Sequence, residues 1–316
     1  MNILITGVAG FIGFNLAKSL SKNHRVFGVD NYDNYYSIKL KRKRINELRK
    51  NKKFFFKQIN INNINTINHF LKKKKIQVIY HLAAQAGVRY SYENPAKYID
   101  NNILGFCNII QIAKRIGVQK IIYASSSSVY GDSKKFPLKE KEKLHPKNIY
   151  AVSKMLNEQT AELYSKITNI NFIGMRFFTI YGEWGRPDMF LFKLFKSSLK
   201  KNIFELNNYG NHKRDFTYIG DVVKIMEKII NIKKYRHLIF NICSNNPVSI
   251  NNIINIFSKK EYLKFKKIQK HKADILITHG SNLKIKRIIK PFKFSSFYEK
   301  FWQTYLWYKK NKIYNY

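Results

Sequence analysis

An α/β fold built on a doubly wound parallel sheet is what this sequence predicts, and three observations carry the prediction. Short, nearly all-apolar runs recur through the first half of the chain. Each is followed by a stretch of helical periodicity. The first run leads into Gly7-Val-Ala-Gly10-Phe-Ile-Gly13, directly at the start of such a stretch. Parallel strands buried on both faces read as continuous apolar runs rather than alternating ones. Repeated strand–helix units take right-handed crossovers and build an open sheet covered on both sides.

In order, Asn2–Thr6 is the first strand, and the glycine-rich turn delivers it to a helix over Ile12–Ser21. Arg25–Val29 is the second strand, followed by a helix over Ile38–Asn51. Phe54–Gln58 and Val78–Leu82 are the next two strands, and Pro95–Arg115 is a long helix. Ile121–Ser125 leads to the helix Tyr150–Ser165, and Asn171–Arg176 is the sixth strand. Helical patterns return at Asp221–Asn231 and Ser296–Lys310. After Gly182 the pattern loosens, with turn signals at Gly185, Pro187 and the Asn/Gly-rich stretch Asn207–Asn211. The expected division is a dinucleotide-binding unit over residues 1–182 and a smaller substrate lobe over 183–316. That lobe closes over the sheet's carboxyl edge, with some chain returning to the first unit. The Lys-rich, aperiodic segment Phe257–Lys270 suggests no element.

At 316 residues, 45% hydrophobic and 15% aromatic, the chain has the make-up of a globular protein rather than a disordered one. No apolar run reaches the roughly 18–20 residues of a membrane-spanning helix. The first strand begins at residue 2 with no basic or cleavable stretch ahead of it, which argues for a cytoplasmic protein. Cys107 and Cys243 lie in apolar sequence surroundings and read as two reduced core thiols. The formal net charge of +40 raises the question of a nucleic-acid or membrane partner. Its lysines are scattered, however, and Lys, Asn, Ile, Tyr and Phe, all abundant here, share codons rich in A and T. No RNP motif, zinc-ligand spacing or basic arm accompanies them. The charge is read as compositional drift, with no specific nucleic-acid or membrane partner and no metal expected. A basic surface still attracts an anionic substrate at low salt.

Glycines at 7, 10 and 13 suit a tight turn, close backbone approach to a pyrophosphate, and helix–strand packing. Asp30 ends the second strand, where a carboxylate accepts from the adenosine ribose hydroxyls. A 2′-phosphate would be repelled there and no Arg adjoins Asp30 in sequence, so NAD is expected rather than NADP. Tyr150-Ala-Val-Ser-Lys154 puts a phenol and an ammonium on one helix face. A cation beside a Tyr favours its phenolate and suits it to proton transfer at neutral pH. The run Ser125-Ser-Ser-Ser-Val-Tyr-Gly131 ends the fifth strand nearby.

These motifs, with His81-Leu-Ala-Ala-Gln-Ala-Gly-Val-Arg-Tyr-Ser91, resemble the extended short-chain dehydrogenases/reductases, a Rossmann-fold family, and within it the nucleotide-sugar 4-epimerases. The segment Arg176-Phe-Phe-Thr-Ile-Tyr-Gly182 with Gly185-Arg-Pro-Asp-Met189 is most similar to the UDP-glucuronate-type members. Neutral-hexose members tend to carry Asn at the position of Thr179.

The resemblance implies catalytic roles for Tyr150, Lys154 and Ser126. It implies a cofactor site of Gly7, Gly10, Phe11, Ile12, Gly13, Asp30, Asn60, Ile61, Leu82, Ala83, Ala84, Gln85 and Asn102, with Tyr150 and Lys154. Asn60 stands where relatives place an Asp near the adenine. For the substrate it implies Ser126, Ser127 and Thr179 at the sugar, Arg186 at its carboxylate, and Arg89 as a second cation. Arg214 then pairs with the diphosphate and Asp274 with the uridine ribose. Ala273 replaces a family Gly just before that acid. Related 4,6-dehydratases and decarboxylases carry carboxylates just after the fifth strand, where this chain has Ser, which argues against both activities.

The expected reaction is NAD-dependent interconversion of UDP-glucuronate and UDP-galacturonate by abstraction and return of hydride at C4. The alternatives are a 4-epimerase of neutral UDP-hexoses or UDP-N-acetylhexosamines, or a non-catalytic nucleotide or nucleic-acid binder. A homodimer through the two long helices is also implied.

Overall fold

The computed structural model describes residues 1–270 and 274–316, so Ala273 lies outside the described residues. The strands are β1 (Asn2–Thr6), β2 (Arg25–Asp30), β3 (Phe54–Gln58), β4 (Val78–His81), β5 (Lys120–Ser126) and β6 (Asn171–Phe177). They continue with β7 (Thr179–Tyr181), β8 (Ile203–Asn207), β9 (Lys213–Tyr218), β10 (His237–Ile242), β11 (Pro247–Ser249) and β12 (Lys264–Ile268). Seven of them form the main sheet in the order β10-β6-β5-β4-β1-β2-β3, every pair parallel. This is the doubly wound Rossmann-like sheet that the sequence predicts. Each of the six expected strands is present, with ends shifted by no more than a residue or so.

The strand order reverses at β1, and register aligns Thr6 with both Val29 and His81. Three carboxyl ends therefore open one crevice at the switch point, where open α/β sheets take their ligands. One face of the sheet packs on helices Phe11–Leu20 and Ile219–Ile229 around Ile5, Phe14, Ile173 and Met226. The other packs on Gly105–Ile116 around Leu4, Ile79, Phe106 and Phe172. The expected helix Pro95–Arg115 is not continuous. It runs as Pro95–Tyr98, a wider π-type turn over Ile99–Leu104, and Gly105–Ile116.

Beyond the crevice stands a smaller lobe. It carries a three-stranded sheet, β11-β9-β7, and the parallel pair β12-β8. Helices Phe190–Leu199, Ile250–Ser258 and Phe297–Asn311 close on an aromatic core of Phe195, Phe257, Phe301, Tyr305 and Tyr308. The chain returns to the main sheet at β10, which pairs with β6 from Phe172 to Phe177. β12 lies in the Lys-rich segment that suggested no element. It is largely exposed and held by pairing with β8, so no apolar face marks it in the sequence. Cys107 departs from the expected pair of core thiols: it is exposed on its helix, while Cys243 is buried. Among the described residues no helix is long and apolar enough to cross a membrane.

Candidate active site

A cleft of about 780 Å³ runs from the glycine turn after β1, past the ends of β4 and β5, to β8 and β9 of the smaller lobe. Gly7 shows why the turn needs glycine. Its φ is +70°, and a Cβ there would sit 2.6 Å from the backbone nitrogen of Ala83. Gly13 packs equally close, since a Cβ would lie 2.3 Å from the Gly7 carbonyl oxygen. The turn thus meets the β4 end with bare backbone and leaves a shallow floor beside the start of helix Phe11–Leu20. Phe11 and Ile12 border it, as do Leu82, Ala83, Ala84, Gln85 and Ile61.

Asp30 closes this end of the cleft. Its Oδ2 accepts from Ala9 N at 3.0 Å and its Oδ1 from Tyr32 N at 2.8 Å. Burial raises its pKa, opposed by Lys41, those two N–H groups and Arg44. Each oxygen keeps a lone pair for a ribose hydroxyl. The cradle that a Cβ would fill, together with an anchored carboxylate, fits an NAD adenosine and pyrophosphate. Lys41 and Arg44 come near Asp30 only through the fold. No sequence neighbour reveals them.

Tyr150 and Lys154 project from helix Ile149–Ile167 toward the end of β5. The Asn148 side chain caps that helix by accepting from Ala151 N at 2.9 Å. The Tyr150 hydroxyl and Ser126 line the same stretch of the cleft. Burial raises the phenol's pKa, while Ser126 and the charge of Arg186 pull it down. The sequence points to Lys154 for that pull, but in the structure Lys154 Nζ donates to Ala124 O at 3.0 Å. Burial pushes the Lys154 pKa down to about 8. Ser126 also accepts from Ser128 N at 3.1 Å, fixing its hydroxyl at the strand end. Behind it, Ser125 donates to Glu158 Oε1 at 2.5 Å, and Glu158 forms a buried fork with Arg176 of β6. That pair ties the helix of Tyr150 to the two strands beneath it.

Thr179, Arg186, Arg214, Arg89 and Asp274 all line the far part of the cleft. Arg186 is gripped by Asp188 through Nε at 3.0 Å and Nη2 at 2.5 Å. Arg214 Nη1 donates to the carbonyls of Lys213 and Leu276, both at 3.0 Å. Burial lowers the Arg214 pKa to about 10, and Asp274 partly offsets it. Arg89 and Asp274, expected to act separately, are bonded to each other.

Three expected residues stand elsewhere. Asn60 is exposed and its Oδ1 accepts from Asn62 N at 2.9 Å, so it caps a turn instead of facing the cleft. Asn102 is fully buried in the π-type turn. Its amide bonds both backbone groups of Gln85 and the Ser153 hydroxyl. It braces the β4 loop against the helix of Tyr150 and does not line the cleft. Ser127 opens the short 3-10 turn after β5 and lies outside the lining, which takes Ser125 and Ser126 instead. Conversely, Asp188 and Tyr35 were missed. Asp188 stands inside the Gly-Arg-Pro-Asp-Met motif, two residues from the Arg it pairs with. Nothing near Tyr35 in sequence points to the cleft.

Residues 3–243 match the NAD dependent epimerase/dehydratase family. An uncharacterized protein of Methanocaldococcus jannaschii is 43% identical over 91% of this chain and 90% of its own length. The UDP-glucuronate 4-epimerase of Thermodesulfobacterium geofontis is 38% identical over 98% of this chain and 96% of its own. The crystal structure of the Bacillus cereus UDP-glucuronic acid 4-epimerase, with UDP-glucuronic acid and NAD, superimposes with a TM-score of 0.92 at 30% identity. It covers 98% of this chain and 100% of that one.

Proposed function

We propose that this chain, which belongs to the NAD dependent epimerase/dehydratase family, is an NAD-dependent UDP-sugar 4-epimerase that interconverts UDP-glucuronate and UDP-galacturonate. Full-length similarity to UDP-glucuronate 4-epimerases supports the activity. The observation that carries the acidic substrate is Arg186, a guanidinium fixed by Asp188 that lines the same cleft as Tyr150. A guanidinium fork matches a carboxylate with two hydrogen bonds.

The glycine turn and Asp30 would hold NAD, which would supply a reversible acceptor for the hydrogen at sugar C4. Tyr150 takes the C4 hydroxyl proton and later returns it, with Ser126 as its relay. Lys154, which lines the cleft one helical turn from Tyr150, would hydrogen-bond the nicotinamide ribose. Arg214, Arg89 and Asp274 keep the nucleotide anchored while the pyranose turns over, and Thr179 borders the sugar. Arg186 holds the carboxylate of the 4-keto sugar, a β-keto acid, away from the geometry for CO₂ loss.

Product analysis after incubation with UDP-glucuronate, UDP-glucose and UDP-N-acetylglucosamine tests the substrate. UDP-galacturonate is the expected main product, and preferential turnover of a neutral sugar overturns the assignment. Arg186→Ala is expected to raise pentose product or abolish turnover; unchanged kinetics and product ratio count against its role.

Two copies associate, on this proposal, through the helices Gly105–Ile116 and Ile149–Ile167. Exposed Leu163 and Ile167 on the second helix, and exposed Ile99 and Leu104 in the π-type turn that leads into the first, support that face. Light scattering on the purified protein should give twice the chain mass. A reducing cytoplasm, proposed as the compartment, suits two free thiols.

A further inference from the structure

The segment that follows β2 does more than end at the cofactor floor. It touches the loop that carries Arg186 at two separate points, both across more than a hundred residues of chain. The first is Arg44, whose side chain is fully buried. Its Nη1 donates to Ala9 O in the glycine turn and to the Tyr36 hydroxyl, both at 2.8 Å. Its Nη2 donates to Trp184 O at 2.5 Å and Gly185 O at 3.0 Å. None of these acceptors is a carboxylate, and Nε has no partner among the described residues. Burying a guanidinium without a direct counter-charge is costly, so a simple packing role would be better served by an apolar side chain.

The second point is Tyr35. Its hydroxyl donates to Asp188 Oδ2 at 3.3 Å. The same carboxylate accepts from Nε and Nη2 of Arg186. Asp188 therefore fixes one edge of that guanidinium and leaves Nη1 without a protein partner among the described residues. Space for Tyr35 comes from Gly87, where a Cβ would meet the phenol oxygen at 2.2 Å, and its ring packs 5.0 Å from that of Tyr90. The loop Glu183–Asp188 is thus held from behind by Arg44 and from the side by Tyr35. Asp30 heads the segment that supplies both.

We propose that Tyr35 and Arg44 are positioning residues for Arg186, so that the cofactor-binding segment sets the preference for an acidic over a neutral sugar. This role rests on Arg186 receiving the sugar carboxylate. Neither residue transfers a proton. They act by holding one guanidinium edge at a fixed place, so a carboxylate meets a preorganised donor rather than a mobile one.

The test is calorimetry on the NAD-loaded protein carrying Tyr150→Phe, which suppresses turnover. UDP-glucuronate and UDP-glucose are each titrated into that background alone and with Tyr35→Phe, Arg44→Lys or Arg186→Ala. The expected result is that Tyr35→Phe and Arg44→Lys each lower the acid-to-neutral affinity ratio by about tenfold. The affinity for UDP-glucose stays within about twofold, and Arg186→Ala removes the preference. Tyr35→Phe deletes a single hydroxyl, so it decides the matter alone if Arg44→Lys does not fold. An unchanged ratio in Tyr35→Phe, beside a collapsed one in Arg186→Ala, overturns the positioning role and leaves the carboxylate receptor standing. Equal weakening for both sugars shows mere structural support and overturns it too. An unchanged ratio in Arg186→Ala overturns the receptor and the positioning role together.

Discussion

Arg89, in the loop after β4, grips both oxygens of Asp274, 185 residues further along, with Nε and Nη2 donating at 2.9 to 3.2 Å. This fork closes the cleft from the main sheet to the smaller lobe, at the end assigned to the nucleotide. Arg89→Ala is expected to raise KM for the UDP-sugar about tenfold and leave kcat within about twofold, because it removes binding made equally in ground and transition states. Steady-state kinetics check this. A fall in kcat at unchanged KM would instead place Arg89 at the reacting sugar.

Tyr150→Phe removes the hydroxyl that faces the cleft beside Ser126 and leaves the ring in place. The expected loss in kcat is about 10²–10⁴-fold, the range for one positioned acid–base group. Affinity for the UDP-sugar, measured by calorimetry, should change by no more than a few-fold.

Lys154 makes stability depend on pH. Burial lowers its pKa in the folded protein from the usual 10.5 to about 8. Below 8 both states carry the proton, and the folded state bears the full cost of a buried charge. Between 8 and 10.5 the unfolded chain binds the extra proton, so stability rises with pH and the cost disappears. Lys154→Met should therefore be inactive yet more stable than the parent at pH 7, by on the order of 1–3 kcal/mol. That advantage should shrink toward pH 10. Urea melts at pH 7 and pH 10 measure both arms.

Glu158 and Arg176 are each 4% exposed and paired at 2.7 Å. Glu158→Gln leaves a guanidinium buried with no counter-charge, at a cost of about 3–5 kcal/mol. Denaturant melts should show it. Because Ser125 bonds the same carboxylate, kcat should fall while KM holds.

The legible parts of the site are those where spacing along the chain sets geometry. The glycine turn after β1 and the Tyr150–Lys154 pair each depend on one turn or one helix face, so the order of residues was enough. Asn102 was visible as a motif but misplaced, since its amide faces Gln85 and Ser153 rather than the cleft. Arg44, Tyr35 and the Arg89–Asp274 fork were invisible. Their partners lie 140, 153 and 185 residues away, and only the closing of the two lobes joins them. Helix Ile64–Leu71 went unseen because it is short and asparagine-rich, with just Ile67 and Leu71 buried.

The late return of β10 to the main sheet carries a consequence for biosynthesis. The outer edge of β6 stays bare until residues 237–242 have left the ribosome and docked beside it. A fragment cut at Gly182 would present six consecutive backbone positions, Phe172 to Phe177, as an open template for pairing with another chain. The break in pattern that suggests a natural cut in the sequence is therefore a poor place to divide the molecule. The first unit becomes whole only by borrowing a strand from within the second.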